Sequence, residues 1–180
     1  MTALVAVVTG GACGIGAAIS ARLQGVRRHH CRAGPRPADL PDGQLGLVCD
    51  FSDDTSVRAA IETVRAFGRL DVVINNAGPG ALGTIEDNDD AEWHRIWDIR
   101  VMGMVRVTRA PLLRQSPSAA VVNTCSIAAT AGLHGRAAPT RSLQRHQGAV
   151  LSLTQAMGAK HFVDTCSECD GAYVLSSQSE

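Results

Sequence analysis

Hydrophobic residues in this chain gather in short unbroken runs, and the stretches between them carry apolar residues at helical spacing. Leu4 to Thr9 is continuous and rich in valine, the pattern of a strand buried on both faces. A glycine-rich turn follows, and Gly14 to Leu23 has the composition of a helix. Gln44 to Asp50, Asp71 to Asn75 and Ala119 to Thr124 are further strand-like runs. Between them, Ser56 to Phe67 sets Val57, Ala60, Ile61, Val64 and Phe67 on one helical face. The capping side chains of Asp50 to Asp54 precede that helix, and Gly68 ends it. Ala91 to Arg109 is the longest helical stretch and stops before Pro111. Trp93 and Trp97, one turn apart on it, are read as core packing or a helix–helix contact. Gly148 to Thr154 belongs to another helix.

Two stretches break the pattern. Val26 to Pro37 lies where a second strand is due, but it has neither an apolar run nor alternation, so a solvated basic loop is expected there. Residues 160–180 are expected to form an irregular tail at the end of a single domain spanning 1–180.

Strands alternating with helices imply βαβ units. The expected fold class is α/β, a doubly wound parallel sheet of the Rossmann-like kind in three αβα layers. Ligands of such sheets sit at the carboxyl ends of the strands. Three loops meet there: Gly10 to Gly16, Asn75 to Gly80 and Thr124 to Ala129.

Composition narrows the function classes. The 180 residues are 45% hydrophobic and 19% charged with zero formal net charge, which suits one globular domain. A balanced charge without a basic, aromatic-bearing face argues against a nucleic-acid partner. No run is long enough for a membrane span, and Met1 to Leu4 lacks the basic start of a signal peptide, so the expected location is cytoplasmic with no membrane partner. The six cysteines are mostly scattered. Cys166 and Cys169 form a CxxC near His161, but no second pair follows at metal-ligand spacing, so no metal site is expected.

The chemistry is concentrated in the first loop. Gly10 suits a tight turn, Gly14 a close approach to a pyrophosphate, and Gly16 close packing of helix on strand. The helix start adds free N–H groups and partial positive charge for phosphate. The spacing TGxxxGIG over Thr9 to Gly16, the run Asn75-Asn76-Ala77-Gly78 and the strand Val121 to Thr124 leading to Cys125-Ser126 together resemble the short-chain dehydrogenase/reductase family. The resemblance covers roughly residues 3–24 and 45–133 and resumes at Gly148 to Ala159.

That resemblance implies an oxidoreductase that moves a hydride between NAD or NADP and a small alcohol or carbonyl substrate. It assigns Thr9, Gly10, Gly14, Ile15, Gly16, Asp50, Asn76, Ala77 and Gly78 to the cofactor, with Asp50 meeting the adenine. It assigns Ser126 to catalysis, where the hydroxyl holds the substrate oxygen. It also implies a homo-oligomer, and a carboxyl-terminal part that is incomplete here.

The family's acid–base pair is a tyrosine with a lysine one helical turn further on. A phenol near pKa 10 needs such a cation to give up its proton at pH 7. Here that window is Gly135 to Gln147 and holds neither residue. Aligning from Gly148 puts Leu143 at the tyrosine position and Gln147 at the lysine position. His146 is expected to be a surface histidine, and the one tyrosine, Tyr173, lies in the tail. Arg100 stands where the family usually has an asparagine.

A shifted reading frame is the expected origin of both breaks. Ser142 to Gly148 can be written with the plausible codons TCC CTA CAG CGC CAT CAA GGC, chosen from the degenerate code for these residues. Read one base later they give Pro-Tyr-Ser-Ala-Ile-Lys. With suitable codons the same shift can turn Arg27 to Pro35 into Ala-Val-Thr-Thr-Ala-Glu-Pro-Asp-Pro, a strand ending in an acidic residue. The literal chain is therefore expected either to transfer hydride slowly or to be a non-catalytic nucleotide-binding protein or decayed fragment. Arg32, Arg36 and Asp39 lie where the family chooses between NAD and NADP.

Overall fold

The computed structural model describes residues 4–24, 28–34, 44–79, 86–110, 116, 119–126, 129, 141–161, 167–169 and 172–176. Strand β1 (Leu4–Thr9) leads into helix α1 (Gly14–Gln24), followed by β2 (Arg28–Gly34) and β3 (Gln44–Val48). Helix α2 (Asp54–Val64) ends in a 3-10 turn, Arg65–Phe67, and β4 (Val72–Asn75) follows. Next come α3 (Asp90–Trp97), a π-helical stretch Asp98–Met102 and α4 (Gly103–Thr108). Strand β5 (Ala120–Thr124), helix α5 (Arg141–His161), β6 (Ser167–Cys169) and β7 (Ala172–Ser176) complete the described elements.

The strands lie in the order β3-β2-β1-β4-β5-β7-β6. The first five are parallel, whereas β7 runs antiparallel to β5 and β6 antiparallel to β7. The chain winds outward from β1 in one direction through β2 and β3, and in the other through β4 and β5. A crevice is thereby opened where β1 and β4 part.

Both faces of the sheet are buried. Val5, Val7, Val73 and Val121 pack with Val57 and Val64 of α2 and Val107 of α4 in one apolar cluster. Successive strand residues point to opposite faces. Ala6, Val8 and Ile74, which alternate with that set, are buried as well, and α1 lies against β1 and β2. The three layers follow, and the fold class is Rossmann-like α/β as expected.

At the amino-terminal edge, Asp71 is fully buried. It accepts the Val5 N–H at 2.8 Å and the Arg69 guanidinium at 2.6 Å, together with the Ser116 hydroxyl. Burial alone would raise its pKa, but these donors outweigh burial and hold the carboxyl below its usual range.

Three expectations need correction. The stretch expected to be a basic loop contains β2, in parallel register with β1 from Leu4 opposite Arg28 to Thr9 opposite Ala33, and paired with β3 on its other side. Ladders on both sides satisfy the backbone whatever the side chains prefer, and this context overrides a weak strand propensity. The stretch expected to be an irregular tail holds β6 and β7, which extend the sheet beyond β5. His146, expected at the surface, is 1% exposed. Its ring centroid lies 5.3 Å from that of Trp93 and 5.8 Å from that of Trp97. The tryptophans thus form a helix–helix contact, between α3 and α5, with the imidazole between them.

The helix expected over 91–109 is a helical run interrupted by the π-helical stretch. The Arg106 guanidinium supports this stretch by donating to the Asp98 carboxylate at 2.8 Å and the Phe51 carbonyl at 2.8 Å. A Cβ on Gly103 would come within 2.9 Å of Phe51 Cβ. The wide turn carries Arg100.

Candidate functional site

The crevice at the carboxyl ends of β1, β4 and β5 is a cavity of about 700 Å³, a size suited to an extended small molecule. Three loops wall it, and the wall at the end of β1 is the most constrained. Gly10 has φ +65°, a left-handed conformation that side chains disfavour. A Cβ on Gly16 would sit 2.3 Å from the Gly10 carbonyl oxygen and 2.6 Å from Asn76 Nδ2. The turn and the start of α1 therefore fit together only because both positions are glycine. The first N–H groups of α1 have no partner within the helix, and no acidic side chain lies in its first turn. The positive end of this helix dipole is left for an anion.

The second wall is tied to the first. The Thr9 hydroxyl accepts the backbone N–H of Asn76 at 2.9 Å and of Ala77 at 2.9 Å. Asn76 Nδ2 donates to the Thr9 carbonyl at 3.2 Å. Asn75 donates to Asn123 Oδ1 at 2.7 Å and to the Thr108 hydroxyl at 3.0 Å. Asn123 Nδ2 in turn donates to the Thr154 hydroxyl at 2.8 Å. Strands β4 and β5 and helices α4 and α5 are thus held to one another beneath the cavity.

Of the expected site residues, Gly10, Ile15, Asp50, Asn76, Ala77, Gly78 and Ser126 border the cavity together. Thr9, Gly14 and Gly16 do not border it; Thr9 and Gly16 act through the bonds and close contacts just given, and Gly14 carries φ +54° in the turn. Ile15 is 65% exposed, with its side chain at the mouth. Asp50 accepts the N–H of Ser52 at 2.9 Å and its hydroxyl at 2.6 Å, which holds its carboxyl below the usual range.

Other lining residues were not expected. Cys13, Cys49 and Cys125 border the cavity, as do Arg95, Arg100 and Gln147. Burial pushes the Cys49 thiol up to about 11 and raises Cys125 as well, so both are thiols at neutral pH. Arg95 and Ile99 lie one turn apart on the helical run that faces the cavity, a spacing visible in the sequence. Arg100 packs over Gly78, where any Cβ would be 2.8 Å from its side chain. Its Nε and Nη2 donate to the Pro79 carbonyl at 2.9 and 2.7 Å. Gln147, at the register of the expected lysine, is 5% exposed, and among the described residues its side-chain oxygen has no partner. The Cys125 thiol donates to its backbone carbonyl at 3.3 Å.

Several expectations lie outside the described residues: Arg36 and Asp39, and Cys166 of the CxxC. Arg32 stands in β2 opposite Val8, and Tyr173 in β7 opposite Asn123. Among the described residues no group of three His, Cys, Asp or Glu is gathered that could hold a metal ion. No described helix is long and apolar enough to cross a membrane.

The family model for short chain dehydrogenases matches residues 4–161. The chain is 34% identical over 142 residues to the D-threitol dehydrogenase of Mycolicibacterium smegmatis, covering 72% of this chain and 55% of that protein. The ligand-free aldohexose dehydrogenase of Thermoplasma acidophilum superposes with a TM-score of 0.81 at 25% identity, over 88% of this chain and 62% of that one. A 3-ketoacyl-(acyl-carrier-protein) reductase from Brucella melitensis, complexed with NADH, superposes with a TM-score of 0.78 at 25% identity, over 87% and 69% of the two chains. This chain spans 41%, 27% and 55% of the lengths of three curated relatives. A glycine turn locked to the NNAG loop, a parallel sheet opening at β1 and β4, and a family match over most of its length establish that the chain belongs to the short-chain dehydrogenase family.

Proposed function

We propose that this cavity binds NAD or NADP, and that the chain descends from an oxidoreductase acting on a small alcohol or carbonyl compound. The observation that carries the reading is the close fit of Gly16 on Gly10, which sets the start of α1 against the end of β1 so that the turn bearing Gly10 and Ile15 borders the cavity. The first-turn N–H groups of Gly14, Ile15 and Gly16 would hold the phosphates. Asp50 would meet the adenine edge, and Asn76, Ala77 and Gly78 would line the floor, with Thr9 fixing their backbone. Ser126 would hold the substrate oxygen. The cofactor, when bound, supplies or accepts the hydride.

At the register of the family's acid–base pair this polypeptide lacks a proton carrier. Gln147 has no titratable proton, and Leu143 has none either. The Cys125 thiol is made less acidic by burial, and a guanidinium such as that of Arg100 stays protonated at all ordinary pH values. The literal chain therefore binds the dinucleotide and transfers hydride slowly. A shifted reading frame over Ser142 to Gly148 would restore the tyrosine and lysine, and we propose it as the origin of the gap. Soluble cytoplasmic residence, self-association and the absence of nucleic-acid and membrane partners belong to the same reading.

The test is purified protein with NADH or NADPH and a panel of aldehydes and ketones. Thermal stabilisation by a dinucleotide with turnover far below about 1 s⁻¹ is the expected result. Turnover at ordinary enzyme rates would overturn the argument about the proton, and absence of stabilisation by either cofactor would overturn the binding. Genomic codons that give no tyrosine in the shifted frame would dispose of the frame-shift origin.

A further inference from the structure

Arg100 is a half-buried cation among neutral partners. Arg95 and Arg106, on the same helical run, pair with Glu92 at 2.7 Å and Asp98 at 2.8 Å. Arg100 instead donates only to carbonyls, those of Pro79 and, at 3.3 Å, Gly78. Among the described residues its Nη1 has no partner. The neighbouring Cys125 thiol, raised by burial, is neutral and does not balance the charge. Burial also lowers the Arg100 pKa, but a guanidinium remains charged. A half-buried charge is partly desolvated, which is unfavourable without a counter-ion; among the described residues Arg100 has none, and an anion in the cavity would supply it.

A second orphan lies in the same cavity. Gln147 is 5% exposed, and among the described residues its side-chain oxygen has no donor. Arg100 and Gln147 both border the cavity, and Cys125 joins them: its thiol donates to the Gln147 carbonyl at 3.3 Å and it interacts electrostatically with Arg100. A ligand that satisfies both must bring an anion for one and a hydrogen-bond donor for the other. A carboxylate presents two coplanar oxygens to a guanidinium edge, and a hydroxyl on the adjacent carbon supplies the donor.

We propose that Arg100 and Gln147 form a subsite for small hydroxy carboxylates. The inference rests on the proposed function in taking this cavity as the substrate's, and names the substrate class for it. Arg100 selects the charge, and Gln147 the hydroxyl.

Calorimetric titration of the full chain with lactate, lactamide, propionate and inorganic phosphate, each with and without NADH, tests it. Lactate is expected to bind about tenfold or more tighter than its neutral amide, the scale of one hydrogen bond to a charged group. It should also exceed propionate and phosphate. Arg100→Gln should remove the preference over lactamide and Arg100→Lys should keep part of it, while Gln147→Leu should bring lactate down to propionate. Equal affinities for lactate and lactamide, tighter binding of phosphate, or no binding of lactate in either state would overturn the subsite. The comparison of ligands on the unmutated chain needs no variant, so a poorly folding Arg100 variant does not weaken it. NADH binding without acid discrimination overturns the subsite alone. Acid discrimination without NADH binding supports the subsite and overturns the dinucleotide.

Discussion

Replacing Gly16 by alanine probes the cofactor turn with one methyl group. The new Cβ would meet the Gly10 carbonyl oxygen at 2.3 Å, Asn76 Nδ2 at 2.6 Å and the Gly10 carbonyl carbon at 2.8 Å. Real Cβ atoms essentially never approach closer than 3.0 Å. The nearest contact must therefore open by about 0.7 Å, the difference between 3.0 and 2.3 Å. Two of the three obstacles are backbone of a turn already fixed by the φ of Gly10, and the third is an amide held by the Thr9 carbonyl. The helix start has to move as a unit. Overpacking of this kind costs about 1–3 kcal/mol, and it displaces the N–H groups proposed for the phosphates. Gly14→Ala is the control for stability alone, since Gly14 belongs to the proposed phosphate site: nothing lies within 4 Å of its Cβ, but φ is +54°. Its cost is backbone strain of about 1 kcal/mol without a displaced helix. Urea denaturation of both variants and NADH titration of Gly16→Ala are the assays. Gly16→Ala should lose more stability than Gly14→Ala and at least tenfold in NADH affinity, about 1.4 kcal/mol. Wild-type stability and affinity in Gly16→Ala would refute the close-packing argument.

Three further outcomes follow from the same contacts. Thr9→Val leaves the backbone N–H groups of Asn76 and Ala77 without their acceptor; a loss of about 2–6 kcal/mol is expected in chemical denaturation, at about 1–3 per orphaned group. Asp71 has its folded pKa lowered, so its stabilisation is present above the unfolded value near 3.9 and is lost as pH falls through the folded value. Asp71→Asn should be less stable at pH 7 and should flatten the decline of stability with acid below about pH 4, as read by denaturant midpoints across pH. Cys13 is exposed while Cys49 and Cys125 are buried, and Cys49 is pushed up to about 11. Of these three, iodoacetamide at pH 8 should label Cys13 first by peptide mapping, and NADH should protect it.

The parts legible in the sequence were those written in backbone-determining residues. The valine runs of β1 and β4 and the helical spacing of α2 leave little freedom, and Gly10 and Gly16 state the turn through what they lack. β2 was illegible because Arg28 to Gly34 has no apolar signature, and its strand is imposed by neighbours on both sides. β7 was missed for the related reason that it pairs with β5, far away in sequence, and β6 with it because it pairs with β7. The burial of His146 depends on two tryptophans some fifty residues earlier, a contact between helices that periodicity along one helix cannot show. Arg100 could be seen as a departure from the family. That it sits on a π-helical turn and reaches across Gly78 needed the structure.

The central claim is a location: a dinucleotide held by the turn after β1 and the loop after β4. Hydrogen–deuterium exchange of the full chain, with and without saturating NADH, measures it directly. Slowed exchange in peptides covering Gly10 to Ala17 and Asn75 to Gly78, with a further effect around Asp50, is the predicted result. NADH that leaves both segments unchanged, or protects only peptides away from the carboxyl ends of β1 and β4, would contradict the account.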